Sequence, residues 1–142
     1  MSDRSAAIVE CQQLSSAFCN YIDSRSFEKL GALFAPDGIF ERAGKSVTGP
    51  AAIQAEMEKR PPHWATMHCC TNVQIDVVSD DRAEGVTYQL VLMQTNVSGD
   101  GPFPMPAGLQ SAGKFYDTFV RTPDGWRIAH RRTVSVFRQE TA

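Results

Sequence analysis

Long apolar runs are missing from this chain. Its uninterrupted hydrophobic stretches fall far short of the ~20 residues that a membrane-crossing helix needs, so no helical span is expected. An excess of charge is missing too. Fourteen Lys and Arg stand against sixteen Asp and Glu, a formal net charge of -2, which leaves no electrostatic footprint for nucleic acid. The N-terminal Met1-Ser2-Asp3-Arg4-Ser5 leads into a polar-interrupted segment and not into a secretory hydrophobic block, so a cytoplasmic protein is expected. There is no Cys-x-x-Cys spacing among the four cysteines. Cys69 and Cys70 are adjacent, and neighbours on a strand point to opposite faces, so they are poorly placed to bind one zinc. All four read as free, mostly buried thiols. A glycine-rich phosphate loop, a nucleophile elbow and a His-Glu-x-x-His run are absent. His63 and His68 lack a third ligand at metal spacing, so no metal and no cofactor is expected.

What is present suits one globular domain spanning residues 1–142. The 42% hydrophobic and 21% charged content is ordinary, and the chain is long enough to bury a core without disulfides. Ile8, Cys11, Leu14, Phe18 and Ile22 recur at steps of three and four, predicting a helix over 3–22. A short second helix follows, with Ser26 as its cap and Phe27, Leu30, Leu33 and Phe34 as its apolar face; Ala35-Pro36-Asp37-Gly38 should stop it. A strand starting at Ile39, a turn at Gly44 and a short return strand over 46–48 come next. Pro50 then opens a third helix that Arg60-Pro61-Pro62 ends.

Four long strands are expected over 64–78, 82–97, 113–122 and 126–138. On the second of them Val86, Tyr88, Leu90 and Leu92 alternate with polar or smaller residues. The stretch 98–112 is rich in Gly and Pro and reads as an irregular connection. It carries Phe103, Met105 and Leu109, which call for burial, and it is placed to cover a pocket mouth. Helices gathered early and strands late, without β-α-β alternation, argue for α+β with a curved, mostly antiparallel sheet over the helices. The hollow between sheet and first helix is a natural pocket.

Thr66-Met67-His68-Cys69-Cys70-Thr71-Asn72 is the stretch with most chemical content. A strand histidine in such company is either a packed, hydrogen-bonded core group or a base at the bottom of a pocket. The second reading needs a carboxylate to orient the ring, and Asp23 at the end of the first helix is the candidate. Strand alternation puts His130 and Arg132 on one face and Arg131 on the other, unless a bulge swaps them. Asp117 reads as structural, pairing with an arginine of the neighbouring strand; Lys59, Arg60 and His63 read as surface groups.

Several local motifs occur together and in order: Tyr21-Ile22-Asp23, Leu33-Phe34-Ala35-Pro36-Asp37-Gly38, Gly49-Pro50 before a helix, Gly113-Lys114-Phe115-Tyr116-Asp117 and Asp124-Gly125-Trp126-Arg127-Ile128. In this the chain resembles the SnoaL-like branch of the nuclear-transport-factor-like superfamily, cone-shaped α+β barrels with an internal pocket. The site pattern is similar to that of the scytalone dehydratase, hexachlorocyclohexane dehydrochlorinase and bile-acid dehydratase group. There an aspartate near the end of helix 1 orients a histidine base on the first long strand. Asp23 and His68, the latter followed by Thr71-Asn72, match that pattern. Tyr21 matches a tyrosine used by some members, and a late arginine has Arg131 as its counterpart. Phe18 stands where the dehydrochlorinase has a lysine, a departure that weighs against its chloride-leaving chemistry.

The resemblance implies a cofactor-independent lyase or isomerase, dehydratase-like, acting on a small apolar, cyclic substrate; a non-catalytic ligand-binding or assembly domain of the same fold is the alternative. Histidine, with an ordinary pKa of about 6.5, suits proton abstraction at neutral pH. The expected catalytic residues are His68, Asp23 and Tyr21. The expected substrate contacts are Phe18, Trp64, Met67, Phe115 and Arg131. A homodimer or homotrimer formed through the outer sheet face, with Val134, Val136 and Phe137, is also expected.

Overall fold

The computed structural model describes residues 3–140. Three helices come first: α1 (Asp3–Asp23), α2 (Phe27–Gly31) and α3 (Pro50–Glu58). Strands β1 (Phe34–Arg42) and β2 (Lys45–Thr48) lie between α2 and α3. Then follow β3 (Ala65–Ser79), β4 (Arg82–Gln94), β5 (Ser111–Thr122) and β6 (Gly125–Arg138). The six strands form one sheet in the order β2-β1-β6-β5-β4-β3. It is a mixed sheet and is not closed. The long strands form the expected antiparallel meander, but β1 joins β6 in parallel.

The apolar stripe of α1 is the centre of the core. Cys11, Leu14, Phe18 and Ile22 are buried against the sheet. The Phe18 ring meets Phe40 and Phe115 edge-on, with centroids 5.4 and 5.5 Å away. Such edge contacts place the positive rim of one ring on the negative face of another. α2 and α3 pack closely because Gly31 has no side chain; a Cβ there would lie 2.6 Å from the carbonyl oxygen of Pro50.

The first strand begins earlier than its local signals suggest. Phe34 already pairs with Ile128 of β6, and an irregular stretch then runs to Ile39. Pro36, Asp37 and Gly38 look like a helix-stopping turn, yet the distant partner strand absorbs them. The turn between β1 and β2 holds Ala43 and Gly44 at φ of 51° and 77°, the paired positive angles that a tight hairpin requires.

Two bulges decide which residues face inward. On β3 the register shifts between Thr71 and Gln74, with Asn72 at φ 50°. Asn tolerates that left-handed backbone better than most residues. Thr66, His68 and Cys70 therefore face the helices before the bulge, and Val73, Ile75 and Val77 face them after it. On β6 the shift falls at Ala129, so that Trp126 and Ile128 are buried, and then Arg131. On β4 the inward face is Ala83, Gly85, Thr87, Gln89 and Val91. The row Val86, Tyr88, Leu90 and Leu92 lies on the outer face, and Tyr88 is exposed. At Gly85 the inner space is already filled from the neighbouring strands, where a Cβ would lie 2.7 Å from the Ile75 side chain and 3.0 Å from the Phe119 ring.

The connection between β4 and β5 does not bury its apolar residues. Met105 is 83% exposed and Leu109 is exposed, while Phe103 is half-buried. It is pinned by bonds from Gln94 Nε2 to the Pro104 carbonyl (2.9 Å) and from Gln139 Nε2 to the Leu109 carbonyl (3.1 Å). No helix among the described residues is long and apolar enough to cross a membrane.

Candidate active site

Asp23 is the last residue of α1, where an acidic side chain faces the negative end of the helix dipole. No basic residue occupies that turn to offset it. The helix is stopped just after it. The Ser26 amide reaches back to the Tyr21 carbonyl (2.9 Å) and the Arg25 amide to that of Ile22 (3.1 Å), with Arg25 at φ 58°. This is the reciprocal pattern that usually takes glycine at the left-handed position. Arg25 holds it by donating to the carbonyls of Arg60 (2.7 Å) and Pro61 (3.3 Å).

Three donors from β3 offset the unfavourable placement of Asp23. His68 Nδ1 lies 2.6 Å from Oδ1, the Thr66 hydroxyl donates to Oδ1 at 2.9 Å, and the His68 backbone amide donates to Oδ2 at 2.7 Å. The carboxylate thus holds both the ring and the main chain of His68. The Arg60 guanidinium donates to the Thr66 hydroxyl at 3.2 Å, so a chain runs Arg60, Thr66, Asp23, His68. With Nδ1 engaged, Nε2 is the ring nitrogen without a partner among the described residues.

His68 lines a cavity of about 810 Å³ between α1 and the sheet. Its apolar wall includes Phe18, Phe40, Trp64, Val91, Met93 and Phe115. Gln89 and Thr133 add polar groups, and Arg42, Arg138 and Gln110 stand nearer the open end of the strands. Gln110 comes from the tail of the Gly/Pro-rich connection; Phe103, Met105 and Leu109 do not reach the cavity.

The expected site residues divide accordingly. His68, Phe18, Trp64 and Phe115 line the cavity, and Asp23 touches His68. Tyr21 does not line it. Phe18 and Ile22 share the cavity side of α1, and one residue along a helix turns the side chain by about 100°. Tyr21 packs against the core instead. Met67 stands on the opposite face of β3 from His68, 60% exposed, because adjacent strand residues alternate.

Arg131 is turned inward by the bulge at Ala129 but does not reach the cavity. It is wholly buried, with its guanidinium 4.5 Å from the Phe18 ring centre and 4.1 Å from that of Phe115. Its Nε and Nη2 each donate to an oxygen of Asp117 at 2.8 Å, and Nη2 also reaches the Ser15 hydroxyl. Asp117 is therefore the structural partner of a neighbouring-strand arginine, as its position suggested. His130 meets Glu41 at 3.0 Å, and Arg132 lies over the Tyr116 ring.

Three contributors escaped the sequence reading. Thr66 is two residues before His68 and so shares its face, a signal that alternation could have supplied. Arg60 is not a free surface charge: burial first, and then the nearby Arg42 and Arg25, lower its pKa from the usual arginine range. Gln89 was hidden because the apolar row on β4 pointed to the other face. Behind His68, the Cys19 thiol lies 2.7 Å from Cys70, which in turn reaches the Ser15 carbonyl at 3.6 Å. The bond to Cys70 and burial raise the Cys19 pKa, while the bond from Cys19 lowers that of Cys70. Among the described residues no group of His, Cys, Asp and Glu is placed to hold a metal ion.

Helices laid into the hollow of an open curved sheet, with a cavity between, define a cone-shaped α+β fold of the cystatin-like, nuclear-transport-factor-like kind. The SnoaL-like domain family model matches residues 3–132, and the chain belongs to that family. An uncharacterised Mycobacterium tuberculosis protein is 31% identical over 144 residues, covering 98% of this chain and 89% of that one. Among solved structures, a putative scytalone dehydratase from Novosphingobium aromaticivorans superposes with a TM-score of 0.82 at 20% identity, covering 99% of this chain and 91% of that one. LinA superposes with a TM-score of 0.80 at 21% identity, over 99% of this chain and 92% of its own. At those identities the likeness is one of fold.

Proposed function

We propose that this protein is a cofactor-independent lyase or isomerase of the dehydratase type. His68 removes a carbon-bound proton from a small, largely apolar, cyclic substrate, and Asp23 orients it. The observation that carries this reading is the 2.6 Å contact between Asp23 and His68 Nδ1, made by a histidine on the wall of an apolar cavity. The Asp23 bond selects the tautomer with a proton on Nδ1 and a lone pair on Nε2, and it stabilises the imidazolium once Nε2 has taken a proton. Apolar walls strengthen that electrostatic support by excluding water. The putative dehydratase among the structural neighbours agrees with this chemistry.

The reading includes a homodimer or homotrimer assembled through the outer sheet face. Support comes from large apolar side chains left exposed there, including Met67 (60%), Val136 (54%) and Phe137 (72%). Light scattering on the purified chain distinguishes an oligomer from a monomer.

Proton abstraction is tested with 2-tetralone, an enolisable bicyclic ketone, followed by NMR in deuterated buffer. The wild type should accelerate exchange of the ketone's α-protons, and His68→Asn should abolish that acceleration while keeping the native circular dichroism. Ketone binding without any exchange by the wild type would identify a binding protein instead.

A further inference from the structure

We propose that Gln89 is the substrate-orienting group of the cavity, and that the substrate bears a carbonyl oxygen that the Gln89 amide receives while the adjacent carbon faces His68. The proposal deepens the proton-abstraction reading and rests on it for the role of His68. Gln89 is only 7% exposed, lines the cavity, and makes no side-chain hydrogen bond to the protein. The residue is buried as a whole, but its amide atoms are not among the fully enclosed ones, so hydrogen-bonding groups that the protein leaves free open onto the cavity. Glu41, the cavity's carboxylate, is engaged by His130, and the Ser135 hydroxyl by Arg138, whereas the Gln89 amide is left free. A second lining group, Thr133 Oγ1, is fully enclosed and also without a partner.

The sheet keeps space open beside that amide. Gln89 is paired with Gly113 on β5, so no side chain stands next to it on that side. A Cβ on Gly113 would collide with the Val134 carbonyl, so the backbone there admits nothing larger. On the other side, Cys70 is opposite Gln89 and His68 is opposite Val91. His68 and Gln89 are therefore diagonal neighbours on one face, roughly 7–8 Å apart with their Cβ atoms somewhat closer. That gap suits a C–C=O unit, its oxygen on the amide N–H and its α-hydrogen on Nε2.

The step balances with these two groups. Nε2 of His68 takes the α-proton, the C–H electron pair becomes the carbon–carbon double bond of an enolate, and the carbonyl π pair moves onto oxygen. The amide N–H of Gln89 donates to that oxygen as its charge grows. The proton on His68 then passes to another carbon of the same system, which completes an isomerisation. Alternatively it passes to a departing β-hydroxyl, which leaves as water. Glutamine has no titrating group here, so its contribution is that of a fixed neutral donor. Its predicted effect is selectivity for an oxygenated ring over a hydrocarbon one.

The test compares 2-tetralone with tetralin, which has the same fused rings and no oxygen. Binding is read by quenching of tryptophan fluorescence, since Trp64 lines the cavity. The wild type should bind the ketone about tenfold tighter, the worth of one net hydrogen bond. Gln89→Leu should bring the two affinities together by weakening the ketone alone, and Gln89→Met serves if the leucine variant does not fold. His68→Asn should keep the preference while losing α-proton exchange. A ketone preference that survives in the Gln89 variants, or a wild type with no preference or no ketone binding, overturns the assignment. Loss of the base reading looks different: there the preference persists and depends on Gln89, but no variant or wild type exchanges protons.

Discussion

The Asp23–His68 pair and the Asp117–Arg131 pair share the space beneath α1, and each carboxylate is gripped through both of its oxygens. Asp117 and Arg131 have no exposed side-chain surface, and Arg131 meets the carboxylate with two parallel bonds of 2.8 Å. An arginine in that fork has no site that accepts a proton, and no path leads a ligand to it. In the other pair His68 keeps 10% of its side-chain surface and Asp23 keeps 22%. The imidazole spends one nitrogen on the carboxylate and retains a second. The difference teaches that a buried-looking ion pair becomes reactive through what its base has left over and what that remainder faces. It also explains why Arg131, inward though it is, serves packing between Phe18 and Phe115.

The comparison is broken most severely on the sealed side. Asp117→Ala strands the Arg131 charge, and urea unfolding should show a loss of about 3–5 kcal/mol. Replacing both, as Asp117→Leu with Arg131→Met, should recover most of that loss. A single variant as stable as the wild type would mean that the pair is dispensable. On the open side the order reverses. His68→Asn should lower α-proton exchange on 2-tetralone by roughly two to four orders of magnitude. Its thermal midpoint should move far less than that of Asp117→Ala, and equal losses in the two variants would erase the proposed distinction.

A finer cut lies at Thr66, whose hydroxyl supports Asp23 from behind. Thr66→Val should reduce exchange roughly tenfold, one hydrogen bond's worth, with ketone affinity unchanged. An effect on affinity alone would place Thr66 in binding. The smallest effect belongs to Glu56, a carboxylate of α3 outside both pairs. Hydrogen bonds from Lys59 and Lys45 lower its pKa from about 4.5 to about 2. A lowered carboxylate pKa adds stability above the unfolded value, and the addition fades as pH falls through the folded one. The gap in melting temperature between wild type and Glu56→Gln should therefore be small at pH 6 and close between about pH 4.5 and 2. A gap that widens with acid would contradict the sign.

Much of this arrangement was legible from residue order, and the failures share a cause. Helix α1 was readable because its burial is periodic, from Cys11 to Ile22. The meander was readable because its turns are marked, as at Pro123-Asp124-Gly125. Asp23 and His68 were paired by resemblance, and the contact between them follows from where α1 ends. Properties set by a distant partner were not readable. Phe34 joins a strand because Ile128 is there to pair with, despite the proline two residues on. At Gly85 the inward face of β4 has room for no side chain beside Ile75 and Phe119, and the richer hydrophobic row lies outside. Met67 was assigned to the cavity wall as a neighbour of His68, and Tyr21 to the site by resemblance to a tyrosine used in some family members; strand alternation and helical rotation carry each away. Arg60 looked like surface charge because nothing local announces Thr66 or the carbonyl contacts around it.

The bulge at Ala129 can be regarded as a phase slip in a two-step counter. Before it, even-numbered residues of β6 count as interior; after it, odd-numbered ones do until a second register shift at Val136. Nothing in the side chains of His130, Arg131 and Arg132 fixes which of them is enclosed; the count does. A lineage that regularised the strand by drawing Ala129 into the ladder would exchange the roles of three basic residues without changing any of them. Asp117 would then face an empty place, and His130 would enter the interior. Single-residue insertions and deletions along β6 should therefore be scarcer among functional descendants of this sequence than substitutions at the same positions.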